Sequence, residues 1–376
     1  MIKRIVLTGG PCAGKTTALS RIEQDLCEKG YKVFIVGESA TELIRGGIFP
    51  NESSVGMLEF QKLIMFYQYQ KEDIYDRAVM KSKDENIVII YDRGLLDNKS
   101  YINDEEFEIV LNDLSSYLGK KVSEIDLASR YDMIIHLVTS AGRRGYSLES
   151  NQARYESEDE ALLLDKRTMN AWIVHNNLQI VDNTDDFDEK MNKVISLIHG
   201  CLGEESLIRR EKKFIVQADI SKELVEKFNG LESIIEQYYI ENDMDESEIR
   251  LRKINYDFGC NYYYVVQNAL ENGIKKVLVE KKISEQEFNR LVNSNVISMI
   301  NKKRISFTYE KQFCKLDLFS DGLMVLEVIL NDEKMEVLIP DCFKVIREVT
   351  DDKDYKNINL GIISRSDVKR RAKELR

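Results

Sequence analysis

Hydrophobic residues follow one pattern up to about residue 203 and a different pattern after it. In the first part, short apolar runs rich in β-branched residues alternate with longer segments of helical periodicity, which is typical of a parallel sheet covered by helices. The runs are short enough to be buried strands, and they are Ile5–Thr8, Lys32–Val36, Ile87–Tyr91, Met133–Val138 and Gln179–Val181. Helices are predicted at Lys15–Lys29, Met57–Val79 and Phe187–Leu202.

After Gly203, polar and apolar residues alternate between Asn, Asp and Gly turns, which is typical of antiparallel strands. The predicted strands are Glu211–Ala218, Glu248–Ile254, Asn261–Asn268, Lys276–Lys282, Lys302–Glu310, Phe313–Phe319 and Leu323–Leu330. So many strands in one segment predict a barrel or a strongly curled sheet. The sequence therefore predicts two domains, an α/β domain over residues 1–203 and an α+β domain with an antiparallel barrel over residues 204–376.

Composition excludes several classes of function. The 376 residues contain 54 Lys and Arg against 65 Asp and Glu, for a formal net charge of −11. This charge disfavours a broad nucleic-acid or anionic-membrane surface, so any anion site must be local. The six cysteines form no Cys-x-x-Cys pair, which favours neither a disulfide framework nor a zinc site. With no signal peptide and no apolar run of ~18 residues, we expect a soluble cytoplasmic protein without a nucleic-acid partner.

The segment from Gly9 to Thr16 matches the phosphate-binding pattern GxxxxGK[ST] between a predicted strand and a predicted helix. Glycines let the backbone wrap around phosphate groups, and the helix N-terminus presents N–H groups to the anion. Lys15 reaches the outer phosphates and Thr16 can ligate magnesium. We therefore predict a P-loop NTPase fold that binds ATP or GTP with Mg²⁺, through Gly9, Gly10, Cys12, Ala13, Gly14, Lys15, Thr16 and Thr17.

Charged residues follow two other predicted strands, at the sheet edge where ligands bind in open α/β folds. Glu38 follows the second strand, and Asp92 and Arg93 follow the third. Glu38 is the candidate base that removes a proton from an acceptor hydroxyl, with a salt bridge as the alternative. Asp92 is a candidate magnesium ligand, with a helix N-cap as the alternative.

Later in the first domain, glycines flank Arg143 and Arg144, and Arg154 follows. Arg143 and Arg154 suit a lid that neutralises a transferring phosphate, although a solvated charged helix would have a similar sequence. Asn183, after the last strand, either contacts a nucleotide base or belongs to an Asx turn. The three histidines are interpreted as structural.

These residues resemble the P-loop kinase-like domain shared by nicotinamide riboside kinases of the NadR type and the TRPL-translocation-defect proteins. The resemblance rests on Gly9 to Thr16, Glu38, Asp92-Arg93-Gly94 with Asp97, and Asp182-Asn183. It implies ATP or GTP binding with magnesium and phosphoryl transfer, with Arg93 and the lid arginines facing phosphates. The acceptor does not follow from a resemblance of fold.

Basic and acidic residues alternate along the strands of the second domain. Inside a barrel they would grip a polyanion while carboxylates hold a divalent cation; the alternative is a charged outer face. The basic candidates are Lys213, Arg250, Arg252, Lys303 or Lys302, and Arg304, and the acidic ones are Glu211, Glu280, Glu327 and Glu348. The last residues, Arg365 to Arg376, form a basic tail that either contacts an acidic surface or is a solvated helix end.

Residues 207–362 resemble the CYTH family. The resemblance rests on Glu211-Lys212-Lys213-Phe214, Arg250-Leu251-Arg252, Leu316-Asp317-Leu318-Phe319, Leu326-Glu327-Val328 and Glu348-Val349-Thr350 with Tyr355 and Asn357. It implies a triphosphate tunnel, found in adenylate cyclases, thiamine triphosphatases and inorganic triphosphatases. Three carboxylates of the family pattern are missing, at the first position of the opening motif, at Leu278 and at Ile329, and Gln267 stands in place of a lysine. Because hard cations need several oxygen ligands, we expect the tunnel to bind better than it hydrolyses.

The two domains together are the arrangement of the TRPL-translocation-defect proteins, whose resemblance implies nucleotide and phosphoinositide binding. The leading hypothesis is a magnesium-dependent P-loop kinase that acts on a small hydroxyl acceptor, with a second domain that binds a polyphosphate or phosphorylated ligand. The first alternative is a nucleotide-gated binding module without catalysis, in which contact with a membrane headgroup has no support from the net charge. The second alternative is a triphosphatase.

Overall fold

A computed structural model describes residues 2–141, 157–184, 186–204, 207–242, 247–270, 272–293, 296–330 and 335–361. The chain divides into two compact units, Met1–Leu202 and Gly203–Arg376. No helix in the described ranges is both long enough and apolar enough to cross a membrane.

The first unit is built on a five-stranded parallel sheet with the strand order β2-β3-β1-β4-β5. Its strands are β1 (Ile2–Gly9), β2 (Lys32–Val36), β3 (Ile87–Asp92), β4 (Met133–Leu137) and β5 (Leu178–Val181). Its helices are α1 (Lys15–Glu28), α2 (Ser39–Arg45), α3 (Met57–Lys81), a 3₁₀ helix (Leu95–Tyr101), α4 (Asp104–Leu118), α5 (Glu124–Ala128), α6 (Glu158–Ala171) and α7 (Phe187–Leu202).

The central strands are buried on both faces, which explains their unbroken apolar sequences. Every residue of β4 is buried, and so is β3 up to its final Asp92. Helix α1 turns Ala18, Ile22 and Leu26 into this core. The predicted α/β fold is confirmed, and each predicted strand lies within three residues of an observed one at either end.

The second unit is a closed antiparallel barrel of eight strands, in the order β10-β9-β8-β7-β11-β12-β13-β6, with β6 pairing back to β10. A ninth strand, β14, pairs with the end of β6. The strands are β6 (Leu207–Gln217), β7 (Leu231–Ile240), β8 (Glu248–Tyr256), β9 (Gly259–Ala269), β10 (Ile274–Lys282), β11 (Val296–Tyr309), β12 (Gln312–Leu318), β13 (Met324–Leu330) and β14 (Lys344–Glu348). The helices are α8 (Lys222–Lys227), α9 (Glu285–Val292), a 3₁₀ helix (Lys353–Tyr355) and α10 (Asn357–Leu360).

The apolar core of this unit lies on the outer side of the barrel wall. Leu326 and Val328 of β13 pack with Phe307 and Phe343 and with residues of and next to α8. A second apolar cluster packs the wall against Phe288 of α9. Between those two residues of β13, Glu327 points the other way and meets Lys213 of β6. The barrel therefore has an apolar outer face and a charged interior.

The sequence prediction missed two of these strands. Strand β7 is buried on both faces from Ile235 to Tyr239, so the alternation that marks a half-buried strand is absent there. Strand β14 is short and exposed along its whole length. The predicted barrel is otherwise confirmed.

Candidate nucleotide site and charged barrel interior

The P-loop joins β1 to α1 in a backbone conformation that requires glycine at two positions. Gly9 has a φ of 141°, and a Cβ there would collide with the carbonyl oxygen of Leu137 on β4. Gly14 has a φ of 89° at the N-cap of α1. These two conformations bring the loop back over the end of the sheet, so that it leads directly into the N-terminus of a 14-residue helix.

Lys15 is buried in the first turn of α1, and its Nζ donates to the carbonyl oxygens of Gly9 and Gly10, both at 3.0 Å. The ammonium group therefore lies inside the curve of the loop. Thr16 and Thr17 follow on the exposed side of the helix. This places a lysine charge, exposed hydroxyl groups and a helix N-terminus around one position, which is what phosphate binding requires.

Glu38, after β2, and Arg93, after β3, form an ion pair at the same sheet edge. Arg93 Nε donates to Glu38 Oε1 at 2.6 Å, and Thr41 Oγ1 donates to Glu38 Oε2 at 2.6 Å. Burial works against the charged form of Glu38, but Arg93 and the hydrogen bond from Thr41 hold its pKa at about 2. A carboxylate with so low a pKa is a weak proton acceptor.

Asp92 has the opposite electrostatic environment. Burial and the charge of Glu38 raise its pKa above the ordinary value, with Lys15 and Arg93 opposing. Its Oδ1 is buried and makes no hydrogen bond within the described part of the chain. Asp92 does not cap a helix, because the next helix begins at Leu95 with Gly94 as its N-cap. Of the two carboxylates, Asp92 is therefore the better proton acceptor.

Two buried aspartates that had no assigned role in the sequence hold this edge of the sheet together. Asp97 accepts hydrogen bonds from Thr8 Oγ1 and Trp172 Nε1, each at 2.7 Å. Asp165 of α6 accepts from the backbone N–H of Gly10 at 2.8 Å and lies 3.1 Å from His136 Nε2. Asp165 stands among other charged residues on a helix, so its sequence carries no signal that would single it out.

Asn183 belongs to the structural framework of this edge. Its Nδ2 donates to the carbonyl of Thr139 at 2.7 Å, and its Oδ1 accepts from Lys190 Nζ at 2.7 Å. Its backbone N–H donates to the side chain of Asp182, the residue directly before it, whereas an Asx turn would bond the N–H two residues on. The predicted lid residues Arg143 and Arg154, and the basic tail from Arg365 onward, lie outside the described residues.

The barrel interior carries more basic than acidic side chains among the residues that the structure describes. The interior basic residues are Arg209, Lys213, Arg250, Arg252, Lys275, Lys302, Arg304 and Lys315. The interior acidic residues are Glu211, Glu248, Glu280, Asp317 and Glu327. The alternative of a charged outer face is wrong for these residues.

One basic residue and one acidic residue that were candidates for the barrel interior lie elsewhere. Lys303 points to the outer side of β11, where it pairs with Glu232 at 2.7 Å, so Lys302 accompanies Arg304 inside. Glu348 lies on exposed β14, where it accepts from Lys212 at 2.8 Å. Strand alternation puts Lys302 on the same face as Arg304 and Lys303 on the opposite face, as observed, but alternation does not say which face is inside.

Burial, together with neighbouring positive charges, lowers the pKa of three interior cations. Burial lowers the pKa of Lys315 to about 7, and the charge of Arg304 acts in the same direction. Burial lowers the pKa of Lys302 to about 8, although Asp317 opposes the shift. Burial and the charge of Arg250 lower the pKa of Arg252 to about 9. A bound anion would favour the charged forms of these three side chains, whereas Lys213 and Arg304 already have raised pKa values because of their acidic partners.

Residues 4–190 match the family model described as an AAA domain. Among solved structures, the inorganic triphosphatase NE1496 is 26% identical to this chain. The match covers 41% of this chain and 95% of the NE1496 chain, with a TM-score of 0.29. The PH1819 protein from Pyrococcus horikoshii OT3 is 19% identical, covering 34% of this chain and 80% of its own, with a TM-score of 0.27. None of the curated proteins compared with the sequence matches it. The match to the family model, together with the geometry of Gly9, Gly14 and Lys15, identifies residues 4–190 as an AAA-type P-loop domain.

Proposed function

We propose that residues 1–203 bind a magnesium complex of ATP or GTP and transfer a phosphoryl group to a small hydroxyl acceptor. The observation that carries this proposal is the meeting of Lys15, Asp92 and the Glu38–Arg93 pair at one edge of the sheet. A glycine-rich loop with no role in catalysis would not require Asp92, a carboxylate with a raised pKa, beside it. The resemblance to NadR-type kinases supports the same reaction class.

Each residue has a distinct task in this proposal. Lys15 and the N–H groups of the P-loop bind the outer phosphates. Arg93, held in place by Glu38, presents its guanidinium to the phosphate that is transferred. Asp92 accepts the proton of the acceptor hydroxyl, which replaces the sequence-based assignment of Glu38 as the base. Thr16 is the residue that would hold Mg²⁺ together with phosphate oxygens; the metal would neutralise phosphate charge.

The alternative role of Asp92 as a magnesium ligand is separable by experiment. If Asp92 is the base, Asp92→Asn lowers turnover at all magnesium concentrations. If Asp92 is a ligand, the same change raises the magnesium concentration needed for half-maximal activity and excess magnesium restores turnover.

Phosphorus NMR tests the reaction itself. The protein is incubated with magnesium-ATP or magnesium-GTP and a pooled set of nucleosides, vitamins and sugars. We expect a new phosphomonoester signal together with nucleoside diphosphate. Free phosphate or pyrophosphate alone would indicate hydrolysis, and an unchanged spectrum would contradict the kinase proposal.

A nucleotide-gated binding module is a second candidate, and one observation favours it. Glu38, the base predicted from the sequence, is occupied by Arg93 and Thr41 and is held at a low pKa. The resemblance to TRPL-translocation-defect proteins, which implies phosphoinositide binding, points the same way. In a gated module, a ligand of the second unit changes nucleotide affinity, and nucleotide changes the affinity of that ligand by the same factor. Calorimetric titration of each ligand with and without the other measures this coupling.

For the second unit we propose binding of a polyphosphate or a phosphorylated ligand inside the barrel. The support is the surplus of interior cations and the lowered pKa values of Lys315, Lys302 and Arg252. A triphosphatase would need carboxylates that hold a divalent cation.

A further inference from the structure

The carboxylates inside the barrel are already bound by basic side chains. Glu280 is paired with Arg209, and Glu211 is paired with Lys275 and lies 3.4 Å from Lys213. Glu327 lies 3.0 Å from Lys213 and 3.1 Å from Arg304. Each of these three glutamates therefore contacts a basic side chain, and Lys213 lies between Glu211 and Glu327.

The two other interior carboxylates are engaged as well. Asp317 accepts from Arg304 Nε at 2.6 Å and from Arg304 Nη2 at 2.7 Å, and it also pairs with Lys302. Glu248 accepts from Gln267 Nε2 at 2.9 Å. Burial opposes ionisation of Glu211 and Glu280, yet their basic partners hold both pKa values at about 2. The carboxylates are therefore charged and balanced by the protein's own cations.

This donor set does not fit a divalent cation. Mg²⁺ and Ca²⁺ require several oxygen ligands around one point. In the described part of the chain, no group of three or more His, Cys, Asp or Glu side chains is placed to hold a metal ion. A metal would have to displace a basic side chain from a carboxylate and leave that side chain buried without its partner, which is costly.

Arg209 makes the mismatch most direct. It lies on the same face of β6 as Glu211 and Lys213, two positions before Glu211, and its guanidinium binds the carboxylate of Glu280 on the neighbouring strand β10. A positive charge thus occupies the place beside Glu280 where a metal site would need another oxygen. An arginine at position 209 makes the charge beside Glu280 positive, whereas a glutamate at the same position would make it negative.

Two interior cations are held less closely by the carboxylates of the barrel. Lys315 lies over the ring of Phe313, with Nζ 5.0 Å from the ring centroid, and forms no ion pair with the described residues. Arg250 Nη1 is 3.9 Å from Glu248, and Arg250 Nε is buried without a hydrogen-bond partner. These groups can be satisfied by anionic oxygen atoms that come from outside the protein.

We propose that the barrel binds its polyphosphate ligand as the metal-free anion, so that magnesium weakens binding. The inference rests on the proposed function of the barrel as an anion site and specifies the form of the ligand. A metal-free polyphosphate offers every oxygen to Lys315, Arg250 and Arg252. A magnesium complex offers fewer oxygens and carries two fewer negative charges. Lys315 is therefore assigned to the binding of the ligand oxygens.

Calorimetric titration with inorganic tripolyphosphate tests the proposal in the full chain. The Lys15→Ala background removes the phosphate grip of the P-loop, so that the heat reports on the barrel. We expect binding in EDTA and an apparent affinity at least tenfold lower in excess Mg²⁺. Lys315→Met should weaken binding in EDTA at least tenfold. Lys281→Met is the matched control, because Lys281 lies exposed on the outer side of β10 beside Glu287, and it should bind as the background does.

Arg209→Glu places a carboxylate beside Glu280 and should make Mg²⁺ support binding. If this variant fails to fold, thermal shift of the Lys15→Ala chain by tripolyphosphate, in EDTA and in Mg²⁺, decides the question without a change in the barrel. Binding that requires Mg²⁺ would overturn the metal-free proposal and leave the anion site intact. No binding in either buffer would overturn the anion site itself.

Discussion

Arg93 combines a left-handed backbone conformation with a buried, paired guanidinium. Its φ is 70°, which costs a non-glycine residue about 1–2 kcal/mol. Its carbonyl accepts from Gln68 Nε2 at 3.0 Å, and its backbone N–H donates to the carbonyl of Leu7 at 3.1 Å. Backbone strain held by several contacts is characteristic of functional positions, and here it aims the side chain at Glu38.

Lys15→Ala should weaken nucleotide binding by at least about tenfold, because the variant loses the charge that meets the outer phosphates. Titration with a fluorescent ATP analogue measures the change. Lys32→Ala, an exposed lysine at the start of β2, is the control and should leave affinity as it was. Equal affinity for the Lys15→Ala variant would show that the P-loop does not bind the nucleotide.

The pH profile of phosphoryl transfer should identify Asp92 as the base. Because the pKa of Asp92 is raised, activity should fall with decreasing pH at a value above the ordinary aspartate pKa, as the carboxylate takes up a proton. Glu38 has a pKa of about 2 and stays ionised over the same range. Glu38→Gln should therefore lower turnover through loss of Arg93 orientation and keep the shape of the profile. A profile that becomes flat in Glu38→Gln would return the base to Glu38.

At the scale of elements, hydrogen bonds from residues of helix α3 fix the position of the loop after β3. Glu72, fully buried, accepts from Tyr131 Oη at 2.7 Å and from Arg130 Nε at 3.0 Å. Tyr131 Oη in turn accepts from the backbone N–H of Leu95, the first residue of the 3₁₀ helix. One turn earlier, Gln68 holds the carbonyl of Arg93. The helix thus positions the loop at two points.

Glu72→Ala should lower the free energy of unfolding of the first unit by about 3 kcal/mol, because it removes a partner of a buried guanidinium and a buried phenol. Urea denaturation measures the loss. Glu59→Ala, at an exposed position in the first turn of the same helix, should change stability by less than about 0.5 kcal/mol. Similar losses for the two variants would contradict a supporting role for Glu72.

Elements were predictable from sequence where burial leaves a simple pattern. Strands β3 and β4 are continuous apolar runs, and Asp92 and Arg93 lie at the carboxyl end of β3, where the sequence places them. Asp165 was not predictable, because its partners Gly10 and Thr139 are far from it in sequence and are brought to it only by the fold.

In the barrel, alternation revealed two faces but not which one is inside, since the apolar face is covered by α8 and α9. An irregularity in the register of β10 between Val277 and Val279, where Leu278 is exposed, was also invisible in the sequence.

At the scale of the whole molecule, the charged interior of the barrel predicts a pH-dependent affinity. The pKa of Lys315 is about 7 and that of Lys302 about 8, and a bound polyanion raises both. At a pH above the pKa of a lysine in the free protein and below its pKa in the complex, that lysine takes up a proton when the ligand binds. The affinity therefore falls as the pH rises through this range. We expect tripolyphosphate affinity to fall by up to about tenfold per pH unit for each group above pH 7.

Calorimetry from pH 6 to pH 9 in two buffers of different ionisation enthalpy measures both the affinity and the proton uptake. Lys315→Met should remove one proton from the uptake near pH 8. An affinity that stays constant across this range, with no proton uptake, would show that the interior cations are fully charged before the ligand binds.

Strand β6 bonds to three other strands, β10, β13 and β14, and all of them are made long after it. During synthesis, β6 therefore emerges with backbone N–H and C=O groups that find their partners only when residues 274–277, 324–330 and 344–348 have followed. Pairings so distant in sequence form slowly, and an unpaired strand edge is a site of aggregation while the chain waits. Strand β14 thus covers the end of β6, and a chain cut before β14 would leave that end of the strand open to other molecules.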